Sequence, residues 1–382
     1  MLENDKIKKT IVLVGGGTGG HLFPAIAVGQ DLCKQYNVIL LTDRRCVQYL
    51  HKSYPFIIDV LNITKPVSKI YGKVLFAVQN ISIFFQLLYK FLKLKPTLVV
   101  GFGSYVSFLP LLVAKILGIK IMLHEQNAHI GYVNKLFINC ADKVMLSFDS
   151  TKGADQNQRN NIVVTGNPIR HEITNYRNTE INYDSDPFTI LVVGGSQGSV
   201  FLNQVVSQAL LLIKTEYQNV LNQLKNTYSV SRTELSKIIV FHQAHENYHE
   251  ELDKIYSELD LKYSINSFFS NLPEIYSKSH LVISRSGAST ISELIELSKP
   301  SILIPLPNSA HNHQVYNAQI INNAKGGVCF EQFNLSPMKL AFTILARILD
   351  RSILQNESKN LSVLQNDGLA KIRNTIIQSC LR

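Results

Sequence analysis

The residues best suited to chemistry follow the first apolar run of the chain. The run Ile11–Val14 leads into the glycine-rich segment Gly15–Gly20, and His21 comes directly after it. A buried strand, a glycine turn and a helix N-terminus present unpaired backbone N–H groups and a positive dipole end, which together bind anions. We expect the helix to begin at Pro24, because proline loses nothing in a first helical turn. His21 would then lie at the mouth of an anion site as a candidate proton acceptor.

Three further loops have the same character. Gly101–Tyr105 separates an apolar strand from a predicted helix, and Gly194–Ser199 adds hydroxyl and amide side chains to its backbone donors. Ser284–Thr290 leads into a predicted helix that carries Glu293. Small residues would let a diphosphate approach this helix N-terminus, and Glu293 could accept two hydrogen bonds from a ribose diol. The alternative interpretation of each loop is an unliganded turn, with Glu293 as a favourable charge in the first helical turn.

A polar cluster, His124-Glu125-Gln126-Asn127, follows the predicted strand Ile119–Leu123. The carboxyl end of a strand faces the ligand crevice in a parallel sheet. Glu125 could therefore act as an acid or a base, and Asn127 could bind a sugar hydroxyl. A buried hydrogen-bond network explains His124 equally well.

The sequence gives no indication of a metal centre. His311 and His313 are two residues apart and would not share a helix face, and no acidic pair has the spacing of metal ligands. Arg170, after the turn Gly166–Pro168, could instead offer charge to a phosphate. The five cysteines are dispersed without a C-x-x-C pair, which indicates reduced thiols in the cytoplasm. We therefore expect neither a metal nor another cofactor.

Length and charge set the class of protein. A chain of 382 residues that is 46% apolar is long for one core and suits two globular domains. The charged segment at residues 1–9 does not have the pattern of a secretory signal peptide. The net charge of +10 favours polyanionic partners, which are a nucleotide, a nucleic acid or an acidic membrane surface.

Strand-like and helix-like segments alternate in both halves of the chain, and this alternation predicts parallel sheets covered on both faces. Strands are expected at 10–14, 38–42, 97–101, 119–123, 143–147 and 162–165, then at 188–193, 237–241, 281–284 and 301–304. Helices are expected at 24–36, 74–94, 106–117, 200–213, 288–298, 336–348 and about 361–377. The polar tract Thr174–Asp186 is interpreted as the connection between two similar α/β domains.

The helix predicted at Val74–Leu94 differs from the others, because a narrow polar stripe interrupts an otherwise apolar surface. These interruptions make it a poor transmembrane span. Lysines surround the helix, and aromatic residues lie within it. Two interpretations remain open: a mostly buried helix, or a surface helix that lies on an anionic membrane leaflet.

Seven motifs, taken in this order, resemble the MurG family of bacterial glycosyltransferases, which make lipid II. They are GGGTGGHLFPA at 15–25, GFGSYVS at 101–107, HEQN at 124–127, GNPIR at 166–170, GGSQGS at 194–199, SRSGAST-ISE at 284–293 and HQVYNA at 313–318. Each motif alone is a weak signal, whereas the ordered set is specific and covers nearly the whole chain.

The resemblance implies an α/β fold of two Rossmann-like domains that face a cleft, the GT-B glycosyltransferase fold. Residues 1–167, with a last helix at about 361–382 that crosses back to them, would form the acceptor and membrane-associated domain. Residues 168–360 would form the UDP-sugar-binding domain. The family's reaction is an inverting transfer of N-acetylglucosamine from UDP-N-acetylglucosamine to the 4-hydroxyl of undecaprenyl-pyrophosphoryl-N-acetylmuramyl-pentapeptide, called lipid I.

The implied partners are UDP-N-acetylglucosamine, undecaprenyl-linked lipid I, an anionic membrane surface and other cell-wall enzymes, with no nucleic acid. The implied location is the cytoplasmic face of the inner membrane, as a peripheral protein. His21 is our choice for the catalytic base, and Glu125 is the next candidate. The resemblance places the following residues in substrate binding: Thr18, Gly19, Gly20, Asn127, Arg170, Ser196, Phe269, Ala288, Ser289, Thr290, Ile291, Ser292, Glu293 and Gln314.

Some positions depart from the family pattern. Ser104 stands where a glycine is usual in the second loop, and Phe269 stands where a smaller aliphatic residue touches uracil through its backbone. Ser289 replaces a bulkier apolar residue, and His313 stands where glutamine is common. These departures concern fine contacts to the donor and leave the reaction class unchanged.

Three competing functions fit parts of the sequence. Gly15, Gly17 and Gly20, with Asp43 about twenty residues on, also match the fingerprint of an NAD(P)-dependent oxidoreductase. A different sugar-nucleotide transferase of the same fold is the rival within the class. A non-catalytic protein that binds membranes or nucleic acid would rest on charge alone and would leave four phosphate-type loops unexplained.

Overall fold

A computed structural model describes residues 8–50, 53–63, 70–154, 160–195, 198–215 and 237–381. The chain divides into two compact units, residues 1–170 with 366–382, and residues 171–365. Each unit is built around one parallel sheet with helices on its faces. The predicted fold of two Rossmann-like α/β domains is therefore confirmed.

The first unit contains a seven-stranded parallel sheet in the order β3-β2-β1-β4-β5-β6-β7. Its strands are β1 (Thr10–Val14), β2 (Asn37–Asp43), β3 (Ile57–Leu61), β4 (Leu98–Gly101), β5 (Lys120–Glu125), β6 (Lys143–Leu146) and β7 (Ile162–Val164). The helices between them are α1 (Gly19–Leu32), α2 (Ile70–Leu94), α3 (Phe108–Ile116) and α4 (Tyr132–Phe137). The central strands β1, β4 and β5 are adjacent, so the loops that follow them meet at one edge of the sheet.

The second unit contains a six-stranded parallel sheet in the order β10-β9-β8-β11-β12-β13. Its strands are β8 (Phe188–Val193), β9 (Ile238–Gln243), β10 (Lys262–Asn266), β11 (Leu281–Ser284), β12 (Ser301–Leu303) and β13 (Gly327–Cys329). Its helices are α5 (His171–Thr174), α6 (Val200–Thr215), α7 (His249–Glu258), α8 (Leu272–Lys278), α9 (Ala288–Glu296), α10 (His313–Asn323), α11 (Pro337–Leu349) and α12 (Arg351–Ser362). The central strands β8 and β11 carry the two glycine loops of this unit.

The last helix, α13 (Gly368–Leu381), belongs to the first unit. Its buried residues Ile372, Ile376 and Cys380 join the core on the face of the sheet that α1 also covers. Strand residues such as Leu13 and Val100 are fully buried in the same core. Helices on both faces bury the central strands completely, as expected for a parallel sheet.

Two expected helices have different bounds in the structure. Helix α1 begins at Gly19 rather than Pro24, so Pro24 lies inside the helix and His21 in its first turn. Pro24 lacks the N–H that would bond to the carbonyl group of residue i−4, which here is Gly20. The helix expected at about 361–377 corresponds to α13, which begins only at Gly368, since residues 361 and 362 end α12. Before α13, the Asp367 carboxylate accepts from the N–H of Ala370.

The expected domain connection at Thr174–Asp186 is also wrong, because this tract packs within the second unit. Its Tyr183 is buried, and its Arg177 forms an ion pair of 2.7 Å with the buried Glu296. The units separate instead between Arg170 and His171, and again between residues 365 and 366.

Helix α2 has two apolar faces over the part whose side chains are described. Ile83, Leu87 and Phe91 are buried in the core of the first unit. The opposite face is exposed and is called the α2 apolar face; it consists of Ile81, Phe85, Tyr89 and Leu92. The buried face fits the interpretation of a mostly buried helix, whereas the interpretation of α2 as a membrane-surface helix stays a prediction. Among the described residues, every helix is too short or too polar to cross a bilayer.

Candidate active site

The first glycine loop is held by a buried carboxylate. Gly17 has a φ of +81°, which favours glycine, and its N–H donates to Oδ1 of Asp43 at 2.8 Å. A Cβ atom at Gly17 would lie 2.3 Å from Oγ of Ser104 in the second glycine loop. The two loops therefore pack directly against each other and need glycine at this position.

Asp43 also accepts hydrogen bonds from the Tyr105 hydroxyl and from Nε of Arg45, the latter at 3.1 Å. Burial alone would raise the pKa of Asp43, but the hydrogen bonds from Tyr105, the Gly17 N–H, Cys46 and Arg45 outweigh burial and hold that pKa below its usual value. In the oxidoreductase interpretation this carboxylate would bind a ribose hydroxyl. Here its oxygens are committed to the protein's own donors, which weakens that interpretation.

His21 is half-buried and oriented by two oxygen atoms. Its Nδ1 lies 2.8 Å from the carbonyl oxygen of Phe102 and 2.9 Å from Oε1 of Gln126. A carbonyl oxygen can only accept, so Nδ1 must carry the proton, and the neutral ring has its lone pair on Nε2. A Cβ atom at Gly103 would approach Nδ1 to 3.3 Å, so the second loop fits closely around this ring. The arrangement presents Nε2 as a proton acceptor.

Contrary to expectation, His124 and Glu125 lie within strand β5 rather than after it. Both side chains are buried. The Glu125 carboxylate accepts four hydrogen bonds: two at 3.1 Å from the N–H and side-chain amide of Asn127, and two at 2.8 Å from the N–H of Gly131 and the side-chain amide of Asn134. Glu125 thus fixes the turn after β5 and orients Asn127.

Thr18 and Arg170 are the other expected site residues of the first unit. Thr18 is exposed at the N-terminus of α1, where its extended backbone precedes the first helical N–H groups of Gly19 and Gly20. The Arg170 guanidinium lies 4.9 Å from the centre of the Phe23 ring of α1. The structure therefore brings Thr18–His21, the second loop and the end of β5 to one edge of the sheet, with Arg170 on the side of α1.

Ser104, the departure in the second loop, has a backbone that suits glycine. Its φ of +66° with a ψ of 161° lies in a region occupied almost only by glycine. The family's usual glycine would adopt this conformation without strain, whereas the Ser104 Cβ atom is forced into it.

In the second unit the loop Gly194–Ser199 connects β8 to α6. Its Ser196, an expected substrate-binding residue, lies outside the described residues. Ser199 Oγ accepts from the N–H of Leu202 at 3.3 Å and from Nη2 of Arg285 at 2.8 Å. The described end of this loop is therefore anchored to α6 and to the end of β11.

Arg285, which was not predicted as a site residue, connects several loops. It is buried, and it donates to the carbonyl oxygens of Ile304 and Pro305, each at 3.1 Å, and to Oε1 of Gln332 at 2.9 Å. Desolvation lowers the pKa of Arg285 to about 10. A cation between two small serines directly after an apolar strand was the signal that could have identified it.

The expected nucleotide-binding residues of α9 begin at its N-terminus. Ala288, Ile291, Ser292 and Glu293 are buried, and Ser289 and Thr290 are half-buried. Glu293 is the sixth residue of α9, so it does not lie in the first helical turn, and that alternative interpretation is wrong. The Ser289 hydroxyl is buried and has no hydrogen-bond partner among the described residues.

Two further expected residues lie near these loops. Gln314 is the second residue of α10, and its Oε1 accepts from the N–H of Leu306 at 2.9 Å, while its amide nitrogen has no partner among the described residues. Ser286 Oγ donates to the Gln314 carbonyl oxygen at 2.8 Å, which ties the start of α10 to the loop before α9. The Phe269 ring is buried edge-on against Phe241, so this residue could offer a ligand only its backbone.

Within the described parts of the chain, no three His, Cys, Asp or Glu side chains are grouped closely enough to hold a metal ion.

Comparison with known proteins identifies the family. Residues 11–146 match the glycosyltransferase family 28 N-terminal domain, and residues 189–374 match the glycosyltransferase family 28 C-terminal domain. A protein of Rickettsia canadensis (strain McKiel), named UDP-N-acetylglucosamine–N-acetylmuramyl-(pentapeptide) pyrophosphoryl-undecaprenol N-acetylglucosamine transferase, is 34% identical over 96% of this chain and 99% of its own length. The protein of the same name from Rickettsia bellii (strain RML369-C) is 35% identical over 96% of this chain and 99% of its own.

Solved structures show the same fold. MurG of Acinetobacter baumannii superposes with a TM-score of 0.73 at 24% identity, over 97% of this chain and 99% of that one. A glycosyltransferase from Rickettsia africae ESF-5 gives a TM-score of 0.58 at 16% identity, over 98% and 99%. The chain therefore belongs to glycosyltransferase family 28 and, within it, to the family of UDP-N-acetylglucosamine–N-acetylmuramyl-(pentapeptide) pyrophosphoryl-undecaprenol N-acetylglucosamine transferases.

Proposed function

We propose that this protein transfers N-acetylglucosamine from UDP-N-acetylglucosamine to the 4-hydroxyl of lipid I, which yields lipid II for peptidoglycan synthesis. The observation that carries this proposal is the identity of 34–35% with transferases of that name over 96% of the chain. This similarity spans both units, so it includes the loops of the first unit and those of the second.

His21 is the proposed base. The donor sugar is α-linked and the expected product bond is β-1,4, so the reaction is one direct displacement at the anomeric carbon. As the acceptor oxygen bonds to that carbon, the bond from the carbon to the diphosphate oxygen breaks and UDP leaves with the electron pair. Nε2 of His21 takes the proton of the acceptor hydroxyl. A positioned base contributes about 10²–10⁴-fold in rate.

The second unit is the proposed site of nucleotide recognition. Ser196, the backbone of Phe269, the run Ala288–Glu293 and Gln314 would contact the donor, with Glu293 accepting from the ribose diol. The N-terminus of α9 would face the diphosphate, because a helix N-terminus has unpaired N–H groups and a favourable dipole. Its first turn carries no acidic side chain that would repel an anion.

The first unit is the proposed site of the acceptor and of additional donor contacts. Thr18, Gly19 and Gly20 would bind the donor through the N-terminus of α1, and Asn127 would bind a sugar hydroxyl. Arg170 would offer its charge to the departing diphosphate. Glu125, the second candidate base, is assigned a positioning role, because its four hydrogen bonds hold Asn127 and the turn after β5.

The α2 apolar face is the proposed membrane contact. Its four large side chains are between 55% and 69% exposed, and Lys93 and Lys95 are exposed at the end of the same helix. Apolar side chains beside lysines suit the headgroup region of an anionic leaflet. Peripheral attachment at the cytoplasmic face of the inner membrane would give access to a lipid-linked acceptor and to other cell-wall enzymes.

Product isolation tests the proposed function. The protein would be incubated with labelled UDP-N-acetylglucosamine and a lipid I analogue, and the lipid fraction analysed for a β-1,4-linked disaccharide. A parallel binding measurement with NADH addresses the oxidoreductase rival. Transfer of the label to the lipid with no NADH binding is the expected result, and NADH binding without transfer would refute the proposal.

A further inference from the structure

A chain of hydrogen bonds runs inward from His21. Oε1 of Gln126 faces Nδ1 of His21 at 2.9 Å, and Nε2 of Gln126 lies 2.9 Å from Nδ1 of His124. Nε2 of His124 lies 3.1 Å from the carbonyl oxygen of Gly166. Gln126 and His124 are both buried, so water does not compete for these contacts.

The inner end of this chain fixes the direction of its hydrogen bonds. The Gly166 carbonyl oxygen can only accept, so Nε2 of His124 carries the proton and its Nδ1 must accept. Complete burial lowers the pKa of His124 to about 4. The hydrogen bond to Gly166 raises this pKa, and the charge of His21 lowers it further, but both effects are smaller than that of burial. His124 therefore stays neutral near neutral pH, with a fixed tautomer.

The amide of Gln126 then has one favourable orientation. Its NH₂ group donates to Nδ1 of His124 at 2.9 Å and faces the His124 carbonyl oxygen at 3.2 Å. A flipped amide would place its oxygen against both of those acceptors and its NH₂ group against the Nδ1 proton of His21. The Phe102 carbonyl oxygen at one end and the Gly166 carbonyl oxygen at the other can only accept hydrogen bonds. Both therefore require the same donors: Nδ1 of His21, Nε2 of Gln126 and Nε2 of His124.

We propose that Gln126 and His124 are positioning residues that hold His21 with its proton on Nδ1 and its lone pair on Nε2, through hydrogen bonds that all point toward the Gly166 carbonyl oxygen. This inference rests on the proposed role of His21 as the base. It adds that a neutral amide orients the histidine, whereas the neighbouring carboxylate of Glu125 is saturated by four other donors.

The tautomers can be measured without turnover. Long-range ¹H–¹⁵N correlation spectra of protein labelled with ¹⁵N-histidine distinguish a proton on Nδ1 from one on Nε2, and spectra of His21→Gln and His124→Gln assign the two rings among the 11 histidines. Neutral His21 is expected with its proton on Nδ1 and His124 with its proton on Nε2. A His21 proton on Nε2 in the wild-type protein would overturn the proposal.

A second variant tests the role of the amide. Gln126→Glu places a carboxylate beside the Nδ1 proton of His21. A nearby negative charge raises the pKa of an imidazole by about 1–3 units. The midpoint of the His21 titration, and with it the acid limb of the kcat/KM profile, should rise by at least about one unit. A merely structural role for Gln126 would lower activity without moving the midpoint.

The matched control is Gln35→Glu, which adds the same charge at an exposed position. His21 lies in the first turn of α1, and Gln35 lies just beyond the C-terminal end of that helix. A helix of this length separates the two ends by about 20 Å, which exceeds the screening length at physiological salt. Equal midpoints in Gln126→Glu and Gln35→Glu would refute the role of Gln126. If Gln126→Glu does not fold, the wild-type tautomers still decide. Both expected tautomers together with no transfer to a lipid I analogue would refute the proposed function alone.

Discussion

Replacing Phe85 and Leu92 on the α2 apolar face by serine should weaken binding to anionic vesicles. Their side chains are 60% and 55% exposed in the protein. Full burial of such a side chain contributes about 1.5–3 kcal/mol, so the exposed parts of the two correspond together to about 2–3 kcal/mol. At about 1.4 kcal/mol per factor of ten, the partition coefficient should fall roughly 30- to 150-fold.

Vesicle sedimentation measures this change directly. Wild-type protein and the double variant would be titrated with vesicles of mixed neutral and anionic lipid at low salt, and the bound fraction fitted to a partition coefficient. The wild-type protein should also be released in part at high salt, because the exposed Lys93 and Lys95 contribute a screened attraction.

Leu381→Ser is the matched control. Leu381 lies at the end of α13 in the same unit and is 76% exposed, so its replacement removes at least as much exposed leucine surface as the Leu92 replacement alone, at a position away from α2. Its partition coefficient should stay within about twofold of wild type, since it loses no membrane contact. Equal losses in the control and the double variant, or no loss in either, would contradict the assignment of this face to the membrane.

Two further variants test the site. Glu293→Ala should weaken UDP binding by about 10- to 100-fold in calorimetry, because it removes an acceptor of charge-assisted hydrogen bonds. The control Glu258→Ala, at an exposed position, should leave UDP binding unchanged. An unchanged UDP affinity in Glu293→Ala would discard the ribose assignment. Ser104→Gly should raise the free energy of unfolding by about 0.5–2 kcal/mol, since relief of about 1–3 kcal/mol of strain exceeds the entropic cost of glycine. Urea unfolding measures this free energy. Ser104→Ala is the control, because alanine retains the strained backbone. A Ser104→Gly variant that is less stable than wild type would show that the backbone is not strained.

The central strands were predictable from sequence because both of their faces are buried and they read as continuous apolar runs. The three strands that were not predicted, β3, β10 and β13, are all at sheet edges. Their residues are partly exposed, as in Lys262–Asn266, and an edge strand needs fewer apolar side chains. These three edge strands therefore lack the apolar run on which the prediction depended, whereas the fourth edge strand, β7, has it in Ile162–Val164 and was predicted.

The start of α1 shows how local rules fail at a binding loop. Pro24 indicated a helix start, but the helix begins five residues earlier, at Gly19. His21 therefore belongs to the first helical turn, where the Phe102 carbonyl oxygen can orient it.

Contacts between residues that are distant in sequence could not be predicted either. The motif at 124–127 indicated a polar cluster, but which side chains face His21 depends on strand β5 lying beside β4. Within that cluster the structure assigns Glu125 to the turn and Gln126 to His21. Arg285 was missed for a similar reason, since its partners Ser199 and Gln332 are far away in sequence.

The measurement that tests the central claim most directly is single-turnover transfer of labelled N-acetylglucosamine to a lipid I analogue by the wild-type protein and by His21→Ala. Wild type should form the β-1,4-linked product, and His21→Ala should form it about 10²–10⁴-fold more slowly with the same affinity for UDP. Absence of product with folded wild-type protein, or an equal rate in the variant, would contradict the account.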